Sequence, residues 1–330
     1  SDVLQEVLQQ LPQSKRKDIL NQSIAAEDAS LIKLDGGRVL VQSIDQIKSF
    51  VNDPWLFARI ATNHCLSDIY AMGCEPHSAL AVVGLPFATK KYGRTQLKEL
   101  MLSCSEILRE HKCDLVGGHS AEAEEFHFGL CINGFIDEED LLTKNGMNAG
   151  DILILTKPLG TGTLLAADMR FRASHQWMQE ALGNMEQSNR EAAACFQKFG
   201  ATACTDITGF GIAGHLLEML TTNNTEIELN LSDIPVLSGA LDTLEQKIYS
   251  SLHKDNSLVA HNVFNQEAFA QDPKYALLFD PQTAGGLLAS VPESVAEICV
   301  ARLRESGYSH AKAIGRVSKL DAVQPAIILQ

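Results

Sequence analysis

The feature that most constrains the fold is a polar stretch at residues 137–150, near the middle of the chain, which interrupts the hydrophobic pattern. On both sides of it, apolar segments typical of strands alternate with segments that have helical spacing. A chain of 330 residues is long enough for two ordinary domains. We therefore predict an α/β protein with two domains, residues 1–148 and 149–330.

Hydrophobic periodicity predicts the main elements of each half. In the first half, strands are predicted at 30–34, 38–44, 77–85, 114–116 and 126–136, and helices at 3–11, 54–73 and 94–111. In the second half, strands are predicted at 152–156, 287–290 and 310–317, and helices at 163–169, 188–199, 211–220 and 294–304. Two α/β domains fit this order best.

The charge of the chain argues against several classes of partner. It has 41 acidic and 27 basic residues, and a formal net charge of −14. Such a surface repels phosphate backbones and anionic lipids, so we expect neither nucleic-acid nor membrane binding. The longest apolar stretch, residues 79–88, is broken by Gly84 and Pro86 and is too short to span a membrane. Residues 1–11 lack the basic segment of a signal peptide.

The eight cysteines contain no C-x-x-C pair, and most of them lie among apolar residues. This pattern predicts buried thiols in a reducing compartment rather than disulfides. We therefore expect a cytoplasmic protein.

Four aspartates stand out by their positions. Asp28 precedes a predicted strand and Asp45 ends the next one, where a carboxylate reaches a crevice. Asp68 lies inside an apolar helix, one turn after His64, and Asp206 lies in a predicted turn before a helix. Carboxylates without a cysteine or histidine set nearby favour a hard ion such as Mg²⁺. Helix caps, turn formers and surface charges explain each of them as well, and the residues alone leave this open.

Three glycine-rich segments adjoin apolar runs. Residues 117–120 read Gly-Gly-His-Ser, in which paired glycines let backbone amides approach a phosphate, although a tight turn explains them equally. Residues 157–162 read Lys-Pro-Leu-Gly-Thr-Gly, and residues 280–286 read Asp-Pro-Gln-Thr-Ala-Gly-Gly. Neither of the last two matches a P-loop or a dinucleotide fingerprint, so helix capping and tight packing are their expected roles.

Taken together, seven segments resemble selenophosphate synthetase (selenide, water dikinase), a family of the aminoimidazole ribonucleotide synthetase superfamily. They follow the order of that family and lie at residues 27–29, 41–45, 66–73, 116–120, 157–162, 204–215 and 280–287. The last three favour this family over the thiamine-phosphate kinases and the hydrogenase-maturation proteins.

The resemblance implies both an activity and a fold. The family converts ATP, selenide and water into selenophosphate, AMP and orthophosphate. Its fold is α/β (α+β) with two domains of the aminoimidazole ribonucleotide synthetase type. The N-terminal sheets of two subunits pair into a dimeric barrel, and the C-terminal domain is an α/β sandwich. The expected partners are therefore ATP, selenide and a second copy of the chain.

The resemblance also implies the site residues, position by position. Mg²⁺ would be held by Asp28, Asp68 and Asp206. The ATP site would be formed by Ala25, Ala26, Glu27, Asp45, Asp68, Gly117, Gly118 and His119. Of these, the Gly-Gly-His segment would touch the phosphates, in the partner subunit's site as an alternative to its own. Divalent ions suit this task because adjacent phosphates carry dense negative charge that must be neutralised before a nucleophile approaches.

The chain departs from the family pattern at its N-terminus. The family has a glycine-rich segment with a cysteine or selenocysteine and a lysine there, whereas the first cysteine here is Cys65 and the first lysine is Lys15. We therefore assign no catalytic residue within this chain. We expect a piece of a longer protein, either truncated or derived from a fusion, that binds Mg-ATP weakly and makes little or no selenophosphate alone. Cys65 and Cys74 are poor substitutes, because an apolar setting raises the pKa of a thiol. Smaller departures occur at Glu27, His64 and Ala284.

Two other functions stay open. A sister enzyme of the superfamily would phosphorylate another substrate and release ADP, and a nucleotide-binding module without catalysis would serve dimerisation or regulation. AMP as the product separates the predicted activity from the first of these.

Overall fold

The computed structural model describes residues 7, 10–12, 14–21, 27–221, 225–320 and 326–330. The chain divides into two compact units, Ser1–Leu141 (unit 1) and Leu142–Gln330 (unit 2), each with its own sheet. Most of the helix predicted at 3–11 lies outside the described residues, as do Ala25 and Ala26. In the described part of the chain, no helix is both long enough and apolar enough to cross a membrane.

The described part of unit 1 combines five strands with two long helices. The strands are β1 (Ser30–Lys33), β2 (Arg38–Lys48), β3 (Pro76–Pro86), β4 (Asp114–Ala123) and β5 (His127–Asp137), and the helices are α1 (Pro54–Ala71) and α2 (Lys90–Glu110). The sheet order is β1-β2-β5-β3-β4. In this order β4 forms one edge of the sheet. Only the β3–β4 pair among these five strands is parallel, so the sheet is mostly antiparallel.

Local sequence explains where both helices begin. The Asp53 carboxylate accepts a hydrogen bond of 2.8 Å from the N–H of Trp55, and Pro54 occupies the first turn of α1, where no N–H is needed. The Thr89 hydroxyl accepts a hydrogen bond from the N–H of Tyr92 at the start of α2. These caps fix the N-terminal ends of the two helices that pack on the sheet.

The two faces of the unit 1 sheet differ in exposure. On one face, Ile132 of β5 and its cross-strand neighbour Ala79 of β3 are buried. On the other face, Ile44 of β2 and Leu80 of β3 flank Cys131 of β5 as direct cross-strand neighbours. Ile44 is 70% exposed and Leu80 is 40% exposed. We call the surface formed by Ile44, Cys131 and Leu80 the open sheet face.

Within its described residues, unit 2 is built on a seven-stranded mixed sheet. Its strands are β6 (Ile152–Leu155), β7 (Ala203–Asp206), β8 (Thr225–Leu229), β9 (Val263–Phe264), β10 (Leu287–Val291), β11 (Lys312–Lys319) and β12 (Ile327–Leu329). Its helices are α3 (Thr161–Asp168), α4 (His175–Glu186), α5 (Arg190–Lys198), α6 (Gly211–Thr221), α7 (Ala240–Glu245), α8 (His253–Asn256), α9 (Gln266–Phe269), α10 (Pro273–Leu277) and α11 (Glu293–Glu305). The sheet order is β7-β10-β6-β11-β8-β12-β9. Leu153, Ile227 and Leu288 from three of its strands are fully buried in one apolar core.

Two strand boundaries predicted in unit 1 are wrong, and α2 begins at Lys90, four residues before its predicted start. β2 continues to Lys48, so Asp45 lies within a strand rather than at its end. β4 continues to Ala123, so Gly117 and Gly118 are extended residues of an edge strand and do not form a turn. Pairing with β3 and β5 supplies the backbone hydrogen bonds in both places, which the low strand propensity of glycine and aspartate did not predict.

In unit 2, the turn predicted around Asp206 is wrong in its first part. The residue is the last one of the buried strand β7 and pairs with Leu287 of β10. A buried strand of four residues is too short for alternation to reveal it. The helix α4, the strands β8, β9 and β12 and the short helices α7–α10 were not predicted either, while the other long helices of this unit lie within a few residues of their predicted bounds.

Candidate functional site

An open pocket of about 850 Å³ lies in unit 1 beside β1 and β2. Three predicted site residues line it, namely Glu27, Asp28 and Asp68. Ser43 and Arg16 also contribute to the lining. Among the charged side chains of the lining, three carboxylates face one arginine, so the pocket, which we call the acidic pocket, favours a ligand that brings cations with it.

The packing of α1 on β2 places Asp68 and Asp45. The Ser43 hydroxyl donates to Asp68 Oδ2, and His64 Nε2 lies 2.9 Å from Asp45 Oδ2. His64 and Asp68 are one helical turn apart on α1, and Ser43 and Asp45 are two residues apart on one face of β2. The two contacts between α1 and β2 are therefore adjacent to each other. Burial alone would raise the pKa of Asp45, but the hydrogen bond and charge of His64 lower it below its ordinary value. Sequence reasoning missed Ser43, although its alternation with Asp45 was a usable signal.

Asp28 lies just before β1, in a backbone segment held by Asn21. The Asn21 amide donates to the carbonyl of Ala29 at 2.8 Å and accepts from the N–H of Leu31 at 2.8 Å. One carboxylate oxygen of Asp28 lies within 4.8 Å of one of Asp68. Since Mg²⁺–oxygen bonds measure about 2.0–2.1 Å, a small side-chain rotation lets both oxygens bind one ion. The donor set of this pair therefore fits magnesium.

Asp206 has a different environment in unit 2. It is 1% exposed, and its Oδ2 atom has no hydrogen-bond partner among the described residues. A buried carboxylate oxygen of this kind is costly unless a cation compensates it. Lys157 is close enough for Asp206 to raise the pKa of that lysine, but burial prevails and lowers it to about 7. Asp206 is thus suited to accept a metal ion.

The two glycine-rich segments of unit 2 interlock, which confirms the packing role predicted for them. Gln282 Oε1 accepts hydrogen bonds from the N–H groups of Gly160 and Thr161, at 2.9 and 3.1 Å. Asp280 Oδ2 accepts from the N–H of Gly162 at 3.0 Å and so caps α3. Burial raises the pKa of Asp280 to about 7. Sequence reasoning missed Gln282, because a glutamine in a loop carries no signal of what it will contact.

The remaining predicted residues lie apart from the acidic pocket. Gly117, Gly118 and His119 line a separate groove of about 520 Å³ between α2 and the edge strand β4. Asp45 contacts α1 through His64, as described above, and is not among the described residues that line the acidic pocket. The structure therefore brings Glu27, Asp28 and Asp68 together within unit 1, and it leaves Asp45 and the Gly-Gly-His segment at other positions.

The cysteines agree with the sequence prediction. None of the eight forms a disulfide, and seven of them are buried. Burial raises the pKa of Cys65 well above its ordinary value and raises that of Cys74 to about 12. Neither thiol is therefore a reactive nucleophile at neutral pH.

Comparisons with known proteins identify the class. Residues 26–136 match the AIR synthase related protein, N-terminal domain, and residues 148–326 match its C-terminal domain. Thiamine-monophosphate kinase from Stenotrophomonas maltophilia K279a is similar in structure, with a TM-score of 0.67 and 17% identity over 96% of this chain and 92% of that chain. Hydrogenase maturation protein HypE in complex with ATP also has a TM-score of 0.67, with 16% identity over 96% of this chain and 87% of that one. The predicted two-domain α/β fold is confirmed, and the chain is an AIR synthase related protein.

Two relatives narrow this class. Selenide, water dikinase from Clostridioides difficile is 34% identical over 325 residues, which are 96% of this chain and 90% of the relative. Selenide, water dikinase from Pelobacter propionicus is 37% identical over 293 residues, which are 88% of this chain and 83% of the relative. The chain belongs to the selenide, water dikinase family, as the order of its seven sequence segments predicted.

Proposed function

We propose that this chain takes part in ATP-dependent synthesis of selenophosphate from selenide and water, with AMP and orthophosphate as the other products. The observation that carries the proposal is the similarity to selenide, water dikinases over nearly the whole chain. The acidic pocket of unit 1 supports it, because a nucleotide with bound divalent ions brings the positive charge that such a pocket needs.

We assign Asp28, Asp68 and Asp206 as magnesium ligands. The spacing of Asp28 and Asp68 supports the assignment in unit 1, and the buried Oδ2 atom of Asp206 supports it in unit 2. When bound, Mg²⁺ would neutralise phosphate charge and so let a nucleophile approach phosphorus. Ser43 limits the rotation of the Asp68 carboxylate by donating a hydrogen bond to one of its oxygens.

We assign ATP to the acidic pocket, with Glu27 and the preceding Ala25 and Ala26 beside the nucleotide, and we extend the site to Asp45. The phosphates are assigned to Gly117, Gly118 and His119. Glycines in an exposed strand leave their backbone accessible to an anion, which supports this assignment. Because these three residues line a groove of their own, the assignment favours phosphates bound in the partner subunit's site.

We further propose a homodimer built on unit 1. The open sheet face exposes Ile44 of β2 and Leu80 of β3, which lie on either side of Cys131 of β5. Apolar side chains on a sheet surface are stabilised when a second layer covers them. The sheet of a second copy, paired into a barrel, would provide this layer.

A reducing compartment such as the cytoplasm fits the sulfur chemistry of the chain. Its eight cysteines form no disulfide, and seven of them are buried. Buried thiols outside disulfides are typical of proteins that function where thiols stay reduced.

The test is a selenide-dependent ATP cleavage assay with the full-length protein. Product nucleotides are separated by chromatography, and the Se–P product is followed by phosphorus NMR. We expect AMP, orthophosphate and selenophosphate to form in equal amounts, and only when both selenide and Mg²⁺ are present. Formation of ADP would favour a sister kinase, and nucleotide binding without selenide-dependent turnover would favour a module without catalysis.

A further inference from the structure

Three consecutive carbonyl groups just before β10 each accept a hydrogen bond from a different segment of unit 2. We call residues 284–286 the 284–286 turn. The carbonyl of Ala284 accepts from Lys157 Nζ at 3.1 Å, and the carbonyl of Gly285 accepts from Asn189 Nδ2 at 2.8 Å. The carbonyl of Gly286 accepts from the backbone N–H of Ile207 at 2.9 Å. The turn is thus held by two side chains, and it holds in its place the residue that follows Asp206.

The backbone of this turn packs closely against its neighbours. Ala284 has a φ of +47°, a left-handed conformation that an L-residue adopts only when its surroundings impose it. A Cβ atom on Gly285 would lie 2.1 Å from the carbonyl oxygen of Ile207. A Cβ atom on Gly286 would lie 2.6 Å from the backbone nitrogen of Lys157. The turn therefore fills the space between Lys157 on one side and Ile207 on the other.

Lys157 is an unusual residue for such a position. Its side chain is almost completely buried, with the residue 1% exposed, and a buried ammonium group costs free energy that an apolar side chain of the same length would not. Its Nζ atom donates to two backbone carbonyls, those of Ala284 and Gln187, at 3.1 and 2.5 Å. The side chain therefore joins the 284–286 turn to the segment between α4 and α5.

We propose that Lys157 is a positioning residue for Asp206. The Asp206 carboxylate has one oxygen without a hydrogen-bond partner in the described chain, so the backbone of β7 largely determines where that oxygen lies. The hydrogen bond from the N–H of Ile207 to the carbonyl of Gly286 holds this backbone against the 284–286 turn. The side chains of Lys157 and Asn189 hold the 284–286 turn itself through their hydrogen bonds to its other two carbonyls. The inference rests on the proposed function, in which Asp206 is a magnesium ligand.

The experiment compares Lys157→Met with Lys274→Met. Lys274 is a matched control in the same unit, because its Nζ atom also donates to two backbone carbonyls, those of Ser232 and Ile234. In the metal-free full-length protein, hydrogen exchange at the N–H of Ile207 should be about tenfold faster in Lys157→Met than in the wild type, since one of its supports is lost. Lys274→Met should leave this exchange rate unchanged.

Calorimetric titration with Mg²⁺ and a non-hydrolysable ATP analogue gives the second readout. In Lys157→Met the half-saturating Mg²⁺ concentration should rise about tenfold, while nucleotide affinity in EDTA stays at the wild-type value. A purely structural role would change both quantities or neither. Where Lys157→Met does not fold, Asn189→Ala removes the donor to the middle carbonyl of the same turn and should give the same two results.

Asp206→Asn separates this inference from the proposed function. If Asp206→Asn leaves the Mg²⁺ dependence unchanged, the assignment of Asp206 as a ligand is wrong. If Asp206→Asn weakens Mg²⁺ binding while folded Lys157→Met and Asn189→Ala do not, the ligand assignment stands and the positioning role of Lys157 is overturned.

Discussion

Unit 1 and unit 2 both carry carboxylates that we assign to one reaction, but the two units hold them differently. In unit 1, Asp28 and Asp68 line an open pocket, and Ser43 donates a hydrogen bond to Asp68. In unit 2, Asp206 is buried, as is Asp280, which caps α3. Gly162 packs against Asp280, and Gly285 packs against Ile207, the residue after Asp206. A ligand can therefore enter and leave the pocket of unit 1 without disturbing the core, whereas the positions of the unit 2 carboxylates depend on how the turns pack.

The sheets of the two units also differ in exposure, and the sheet of unit 1 is again the more open one. Every residue of β10 in unit 2 is buried, whereas β2 and β3 of unit 1 expose Ile44 and Leu80 on the open sheet face. Unit 2 therefore covers this central strand with its own residues. Unit 1 leaves an apolar surface that a second copy of the chain would cover.

The largest expected effect comes from placing charged side chains on the open sheet face, which should weaken the proposed dimer. The double variant Ile44→Glu, Leu80→Glu would bury four carboxylates in the dimer, so we expect its dissociation constant to rise at least about a thousandfold. Both side chains are exposed in the single subunit, so the subunit should stay folded. Analytical ultracentrifugation at micromolar concentration measures the change.

The matched control for this prediction is Ile298→Glu, because Ile298 is 62% exposed on α11 of unit 2. It should not alter the oligomeric state. A wild-type protein that sediments as a stable monomer would contradict the dimer and, with it, a role of His119 in the partner subunit's site.

The second prediction concerns the carboxylates of each unit. Asp68→Asn and Asp206→Asn should each weaken Mg²⁺-dependent nucleotide binding about a hundredfold, since each removes one assigned metal ligand. Calorimetric titration with a non-hydrolysable ATP analogue measures it. Asp35→Asn in unit 1 and Asp242→Asn in unit 2 are controls, because both aspartates are exposed. Unchanged affinity in Asp68→Asn and Asp206→Asn would mean that the two acids are structural.

The sequence predicted the elements of unit 1 better than the roles of its residues. Helical spacing predicted α1 and α2 because both are long. The spacing also showed that His64 and Asp68 lie on the same face of α1. The partner of Asp45 was not predictable, because the contact with His64 depends on the register in which α1 crosses β2. Tertiary packing sets that register, and no local pattern encodes it.

In unit 2 the same limit applies to the turns. The glycines at 160, 162, 285 and 286 mark close approaches, which composition predicts. The nearest atoms that they approach belong to residues between 78 and 129 positions away in the chain, from Ile207 for Gly285 to Lys157 for Gly286. The hydrogen bonds from the N–H groups of Gly160 and Thr161 to Gln282 span a similar separation. Contacts of such long range leave no periodicity in a single sequence, so the support of Asp206 by the 284–286 turn became visible only in the structure.

The third prediction uses the buried carboxyl group of unit 2. Burial raises the pKa of Asp280 from its ordinary 3.8 to about 7, so the folded state holds a proton that the unfolded state releases. The stability that this proton contributes is complete below pH 3.8 and is lost as the pH rises through about 7. The free energy of unfolding should therefore fall by on the order of 2 kcal/mol between pH 4 and 7, less than the full shift implies because buried sites relax.

Asp280→Asn should flatten this decline, because an asparagine does not titrate and its amide oxygen still accepts the N–H of Gly162. Trp177 lies in unit 2 and the other tryptophan, Trp55, lies in unit 1, so urea unfolding followed by fluorescence in a Trp55→Phe background reports on unit 2. A decline of equal size in Asp280→Asn would place the titrating group elsewhere.

The smallest expected effect belongs to unit 1, where the stability contribution of Asp45 depends on pH in the opposite direction to that of Asp280. The hydrogen bond from His64 keeps the pKa of Asp45 below its ordinary 3.8 against the effect of burial, so this pair stabilises the fold above that pH and loses its effect as the pH falls through the lowered value. His64→Asn should raise the pKa of Asp45, seen in its carboxyl ¹³C NMR titration. His64→Asn should lower the free energy of unfolding by roughly 1 kcal/mol or less near neutral pH, because the Asp45 side chain is 35% exposed and water screens the pair.

His77→Asn, at an exposed histidine of the same unit, should leave the Asp45 titration unchanged. An unaltered Asp45 pKa in His64→Asn would mean that the backbone N–H of Gln46, which donates to Asp45 Oδ1 at 2.6 Å, lowers it instead.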